Sequence, residues 1–181
     1  MDPYYYVREA TKDGQSLLSL CCGIGLELSN LSTNDVTAVD IAPQYIEKVK
    51  DRCPQANTVV SDSLEYIKEQ PDNSVDVISI IDGIEHLDKR SGLEIITQMK
   101  RVAKHKILLF TPEVKATGGY LKNEPHNAWG IEGADKFQEH RSGWSKLELK
   151  DLGFNFLLVA EAISQHGEAY EALMCEWNKS V

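Results

Sequence analysis

The sequence predicts an α/β fold: a doubly wound, mostly parallel sheet of seven strands that ends in an antiparallel hairpin. Three observations carry this expectation. Five short runs are nearly continuous in apolar residues, which is how parallel strands buried on both faces read. Segments of helical periodicity separate them, so the chain builds βαβ units with right-handed crossovers. The last two apolar runs, 154–162 and 168–177, are joined by too few residues for a helical crossover and must pair antiparallel.

Taken in order, the runs are SLLSLCC (16–22), VTAVD (36–40), NTVVSD (57–62), VDVISIID (75–82), KILLFTP (106–112), FNFLLVAEA (154–162) and EAYEALMCEW (168–177). Between them, PQYIEKVKDRC places Pro43 in a first helical turn and sets Ile46, Val49 and Cys53 on one face. SGLEIITQMKRVAK does the same with Leu93, Ile96, Met99 and Val102. The long irregular stretch from 113 to 143 carries GG, EPHN and GIEG turn signals and is expected to be a substrate-facing lid. Near the start, the YYY triplet is expected to pack on the core edge more readily than to fold over a ligand.

Bulk properties narrow the function classes. With 181 residues, 42% of them hydrophobic, the chain is expected to form a single domain over 1–181. Its formal net charge is -9 and no Lys/Arg block is visible, which disfavours an electrostatic grip on nucleic-acid backbones. No stretch approaches the roughly 20 apolar residues that span a bilayer, and the amino-terminal segment lacks the apolar core of a signal peptide. A cytoplasmic protein, monomer or homodimer, is expected. Cys21, Cys22, Cys53 and Cys175 show neither zinc spacing nor a nearby His cluster, so they read as reduced, structural thiols and no metal is expected.

Ligands of doubly wound sheets bind beyond the carboxyl ends of the strands, near the switch in strand order. Four such ends carry polar or glycine-rich residues. Cys21-Cys22-Gly23-Ile24-Gly25 lets a backbone approach a ligand closely. Asp40 closes the second run, where a carboxylate accepts bonds from ribose hydroxyls or caps the next helix. Asp62 closes the third and can accept from an exocyclic amine or cap a helix starting at Ser63 or Leu64. The fourth end, IIDGIEHL, gathers Asp82, Glu85 and His86. A phosphate loop is disfavoured because GxxxxGK[ST] is absent, and a dinucleotide turn because Leu28 stands where a third glycine belongs.

The order SLLSLCCGIGLEL, VTAVDIAPQYIEKVK, TVVSDSLEY, PDNSVDVISIIDGIEHL and KILLFTPE resembles the class I S-adenosylmethionine-dependent methyltransferases, with their Rossmann-like sheet and terminal hairpin. HRSGWSKLELKDLGF (140–154) is similar to a stretch before the sixth strand in small-molecule members. The resemblance implies S-adenosylmethionine as cofactor. It implies that the turn around Gly23 and Gly25 holds the methionine portion, Asp40 the ribose, and Asp62 with Ser63 the adenine, while Asp82 closes the other side and Cys21 and Ile41 also bind the cofactor. The family has an acid where Ser19 stands, which helps organise the methionine amino end, and a glycine where Cys21 stands.

Methyl transfer to a hydroxyl needs a base, and His86, His126 and His140 are the catalytic candidates. His140 also reads as fixing the loop before Trp144, and Glu113 as substrate-facing or solvated. The [DN]-P-P-[YFW] sequence that resembles amino-methylating enzymes is absent, so a small-molecule acceptor, methylated on oxygen, is expected. Two rival readings are a non-catalytic S-adenosylmethionine-binding or regulatory module and an NAD-dependent oxidoreductase.

Overall fold

A computed structural model describes residues 2–114, 129–163 and 169–180. Seven strands form one sheet: β1 (Leu17–Leu20), β2 (Val36–Asp40), β3 (Asn57–Val60), β4 (Val75–Ile81), β5 (Ala103–Pro112), β6 (Asn155–Ile163) and β7 (Ala169–Asn178). Their order is β3-β2-β1-β4-β5-β7-β6. Strands β1 to β5 run parallel, and β7 lies antiparallel between β5 and β6, so the terminal hairpin takes its expected form.

Among the described residues five helices cover the faces: α1 (Tyr4–Ala10), α2 (Pro43–Arg52), α3 (Ser63–Lys68), α4 (Lys89–Val102) and α5 (Lys146–Asp151). Helices α1 and α2 bury Val7, Ile46 and Val49 with Leu17, Val36 and Leu108 on one side. On the other, Ile67, Ile95, Met99, Trp144 and Leu149 meet Leu18, Leu20, Ile78 and Ile80. Alternate residues of β1 and β4 thus enter opposite cores, the two-sided burial expected of a central parallel strand. Among the described residues no helix is long and apolar enough to cross a membrane.

Local chemistry fixes the helix starts. Pro43 occupies the first turn of α2, as expected. Asp62 caps α3 by accepting from the Leu64 and Glu65 amides, and Asp88 caps α4 through Ser91.

Three expectations need correction. β3 is an edge strand rather than one buried on both faces, and its Val60 is 54% exposed. In α4 the inward face is Gly92, Ile95, Ile96, Met99 and Val102, whereas Leu93 points to solvent, because the helix docks one position round from the assumed stripe. β1 ends at Leu20, two residues early, since Cys21 enters the left-handed region with φ 49°.

Candidate active site

Strand order reverses at β1, which pairs with β2 on one side and β4 on the other. A cleft of about 300 Å³ opens at the carboxyl ends of these strands, lined among others by Cys21, Gly23, Asp40, Ile41, Asp62, Ser63, Asp82 and His86. Seven of the eight residues assigned to the cofactor therefore share one cavity. The eighth, Gly25, lies off its lining, against Val49 of α2.

The turn after β1 is built for close approach. Cys21 and Gly23 both have positive φ, which costs Cys21 steric strain and Gly23 nothing. The Cys21 amide donates to Ser63 Oγ at 2.9 Å, and the Gly23 amide donates to Asp40 Oδ2 at 2.8 Å. The other Asp40 oxygen, Oδ1, accepts from the Ala42 amide at 2.9 Å. Asp40 is thus a buried carboxylate aimed by two backbone amides, and each oxygen keeps a lone pair for a further donor. Its burial raises its pKa, against the pull of those amides. Asp62 both caps α3 and lines the cleft, so the two roles weighed for it in the sequence coincide.

Glu27 was not singled out in the sequence as a site residue. It sits in a 3-10 turn over Leu26–Leu28 and is only 3% exposed. Ser19 and Ser79, registered opposite each other on β1 and β4, both donate to its Oε1, the Ser79 bond being 3.1 Å long. Its other oxygen, Oε2, is buried without a hydrogen-bond partner. Burial pushes the Glu27 pKa up to about 7, partly opposed by the two hydroxyls. Glu27 reaches a side pocket, bounded also by Tyr4, that shares Cys21, Gly23, Asp82 and Trp129 with the main cleft. A buried carboxylate from eight residues downstream thus stands against Ser19, with the serine holding it. The one sequence cue was a lone acid in the apolar run LEL.

Aromatic residues complete the walls. Trp129 packs edge-on against Tyr45 at 5.1 Å between ring centres, and a Cβ placed on Gly23 would come within 3.0 Å of its ring. Phe137, Gln138 and Arg141 also face the cleft. None of these was singled out in the sequence, although Trp129, Phe137, Gln138 and Arg141 lie in the stretch expected to face the substrate. At the amino end, Tyr4 and Tyr6 pack against the α1 side of the core, while Tyr5 is half exposed.

The far wall is formed by β4 and the turn after it. Asp82 has φ 47°, a strained conformation that turns its side chain toward the cleft. Enclosure and the nearby Glu85 carboxylate raise the Asp82 pKa, although its exposure to cleft water limits that rise. Gly83 is required sterically, since a Cβ there would lie 2.7 Å from that of Cys21. His86 lines the cleft, and His140, 8% exposed, packs edge-on against it at 5.0 Å between ring centres. The segment before Trp144 is fixed by Ser142, which accepts from the indole N–H and donates to the Ile84 carbonyl. His126 lies outside the described residues. Glu113 proves buried and ion-paired with Lys146 at 3.2 Å, which corrects its expected substrate-facing or solvated role. All four cysteines are free, and burial lifts the Cys21 thiol to about 12, so it carries no thiolate.

Sheet order and cleft define an α/β domain of the doubly wound class with its site at the carboxyl edge. A family model described as a methyltransferase domain matches residues 17–106. The chain belongs to the class I S-adenosylmethionine-dependent methyltransferase family. No curated protein matches it. Among solved structures it is similar to the YcgJ protein from Bacillus subtilis, with TM-score 0.71 and 11% identity over 99% of this chain and 98% of that one. It is similar to a SAM-dependent methyltransferase from Archaeoglobus fulgidus, with TM-score 0.61 and 19% identity over 97% and 94%. A third is the 1,6-didemethyltoxoflavin-N1-methyltransferase from Burkholderia thailandensis, solved with 1,6-didemethyltoxoflavin and S-adenosylhomocysteine, at TM-score 0.63 and 13% identity over 98% and 77%. At these identities the likeness is one of fold.

Proposed function

We propose that this enzyme moves the methyl group of S-adenosylmethionine to an oxygen of a small-molecule acceptor held between the cofactor and the 129–143 segment. The observation that carries the reading is the pair of carboxylates in two adjoining pockets that share Cys21, Gly23, Asp82 and Trp129. Asp40 is oriented by the Gly23 and Ala42 amides toward a diol, and Glu27 presents an unpartnered buried oxygen suited to an ammonium. A molecule with a ribose at one end and an α-amino group at the other satisfies both.

The donor set fits that cofactor. Asp40 accepts from the ribose hydroxyls, Asp62 and Ser63 meet the adenine beside Ile41, and Glu27 Oε2 takes the methionine ammonium. When bound, the sulfonium supplies an electrophilic methyl carbon. The chain's own task is to orient and dry the acceptor, which is where most of the rate of such a displacement arises. Trp129, Phe137 and Arg141 border the space left for the acceptor, and the His86 imidazole stands on the cleft wall beside it. The acidic surface and lack of a basic stripe favour a small acceptor over nucleic acid.

The test is thermal and catalytic. S-adenosylmethionine or its demethylated product should raise the melting temperature, and Asp40→Ala should abolish that shift. Methyl transfer to a panel of hydroxylated small molecules should follow. Absence of any shift at millimolar ligand removes the proposal, and binding without turnover over a broad panel would favour the non-catalytic module.

A further inference from the structure

His86 and His140 stand 54 positions apart in the sequence, yet they meet beside Glu85, and one candidate ligand atom from each of the three lies within 4.8 Å of the others. Backbone bonds hold this arrangement. The Glu85 carbonyl accepts from the Arg141 and Ser142 amides at 2.8 and 3.0 Å, which ties the His140 segment to the turn after β4. Glu85 Oε2 accepts from Thr111 Oγ1 at 3.0 Å, which fixes the carboxylate plane. His86 Nδ1 lies 3.2 Å from the Glu139 carbonyl. A carbonyl can only accept, so this contact places the proton on Nδ1 and directs the Nε2 lone pair elsewhere.

We propose that Glu85, His86 and His140 form a binding site for a divalent transition-metal ion at the acceptor side of the cleft. Two imidazoles and one carboxylate suit borderline first-row ions such as Zn²⁺ or Co²⁺, whereas Mg²⁺ and Ca²⁺ favour all-oxygen shells. Ligand atoms bonded at about 2.1 Å to one ion sit about 3 to 4 Å apart, so closure from 4.8 Å takes about an ångström of side-chain adjustment. Thr111 on the carboxylate and the Glu139 carbonyl on the imidazole occupy the orienting positions that outer groups take around metal ligands. Glu85 and His140 are buried, and His86 faces the cleft. Three protein ligands leave a coordination position open, and the cleft side is where an acceptor oxygen would fill it. The site does not require that the proposed methyl transfer be correct, because metal binding is read without turnover.

The metal-free full-length protein is titrated with CoCl₂, followed by visible absorption and melting temperature, in parallel with His140→Gln, His86→Gln and Glu85→Gln. The wild type should bind one Co²⁺ saturably, develop d–d absorption without the intense band of thiolate ligation, and melt higher. Each folded variant should lose affinity by about tenfold or more. Should His140→Gln fail to fold, the two other variants and the wild-type spectrum still decide. Lack of saturable binding by the wild type overturns the proposal, as does a thiolate band or undiminished affinity in the folded variants. A melting temperature that responds to pH but not to Co²⁺ marks the cluster as a hydrogen-bonded network only, and overturns it equally.

Discussion

The two walls of the cleft are built in different ways. On the wall from β1, β2 and β3, Asp40 is held by the amides of Gly23 and Ala42, and Asp62 by those of Leu64 and Glu65. Most of these partners lie within a few residues. On the wall from β4, Glu85 and His86 gain partners from 139–142, more than 50 residues away. A short-range wall is assembled as soon as its strands and turns form, while a long-range wall exists only after the 129–143 segment docks. Two contacts on the first wall reach further: the Cys21 amide bonds Ser63, and the Glu27 carboxylate is held by Ser79 of β4 across the strand pair. The walls meet where the side chain of Cys21 fills the room left by Gly83.

The largest expected effect tests the short-range wall. Asp40→Ala orphans the Gly23 and Ala42 amides, which should cost about 3 kcal/mol in stability, read by urea denaturation, and about 100-fold in affinity for S-adenosylmethionine by calorimetry. If affinity survives, the wall does not hold the ribose.

Next comes Glu27→Gln, which keeps the shape and removes the charge. Loss of a charge-assisted bond predicts an affinity drop of about 10 to 100-fold with the fold retained. pH separates the roles further. The folded value of about 7 lies above the ordinary 4.5, so between those limits the folded chain holds a proton that the unfolded chain has released. Apo stability contributed by this group therefore falls as pH rises from 4.5 to 7. An ammonium favours the ionised form, so cofactor affinity should rise over the same window in the wild type and stay flat in Glu27→Gln. Calorimetry at pH 6 and pH 8 reads the difference.

The seam between the walls is tested by a cycle. Gly83→Ala forces a Cβ against Cys21 and should destabilise by about 1 to 3 kcal/mol. Cys21→Gly removes both that obstacle and the left-handed strain, so the double variant should recover most of the loss in denaturant melts. Additive effects would mean that the walls are not coupled there. The smallest effect is set by Asp88→Ala, which removes the cap of α4 behind the histidine wall. It should lower the denaturation midpoint least of the series and leave cofactor affinity unchanged.

Much of the fold was legible because its signals are local. Alternating apolar runs and helical stripes marked all seven strands, and Pro43 and Asp62 marked helix starts where they stand. The acids closing β2 and β3 pointed to the cleft for the same reason, since a strand end fixes where its last side chain faces. Legibility failed where docking intervened. The stripe of α4 was misplaced at Leu93 because the docking angle of a helix depends on its neighbours. Glu113 was read as substrate-facing or solvated although Lys146 and burial claim it.

Sequence alone determined the order of elements and the parallel sheet with its antiparallel ending, because backbone preference and apolar periodicity act over a few residues; the family came from the resemblance of its ordered motifs. Tertiary structure decided that the Glu27 carboxylate lies against Ser19, that Gly83 answers Cys21, and that His86 and His140 meet beside the Glu85 carboxylate. Each of those is a contact between distant segments. Its geometry depends on strand register and loop docking, which no short window of residues encodes.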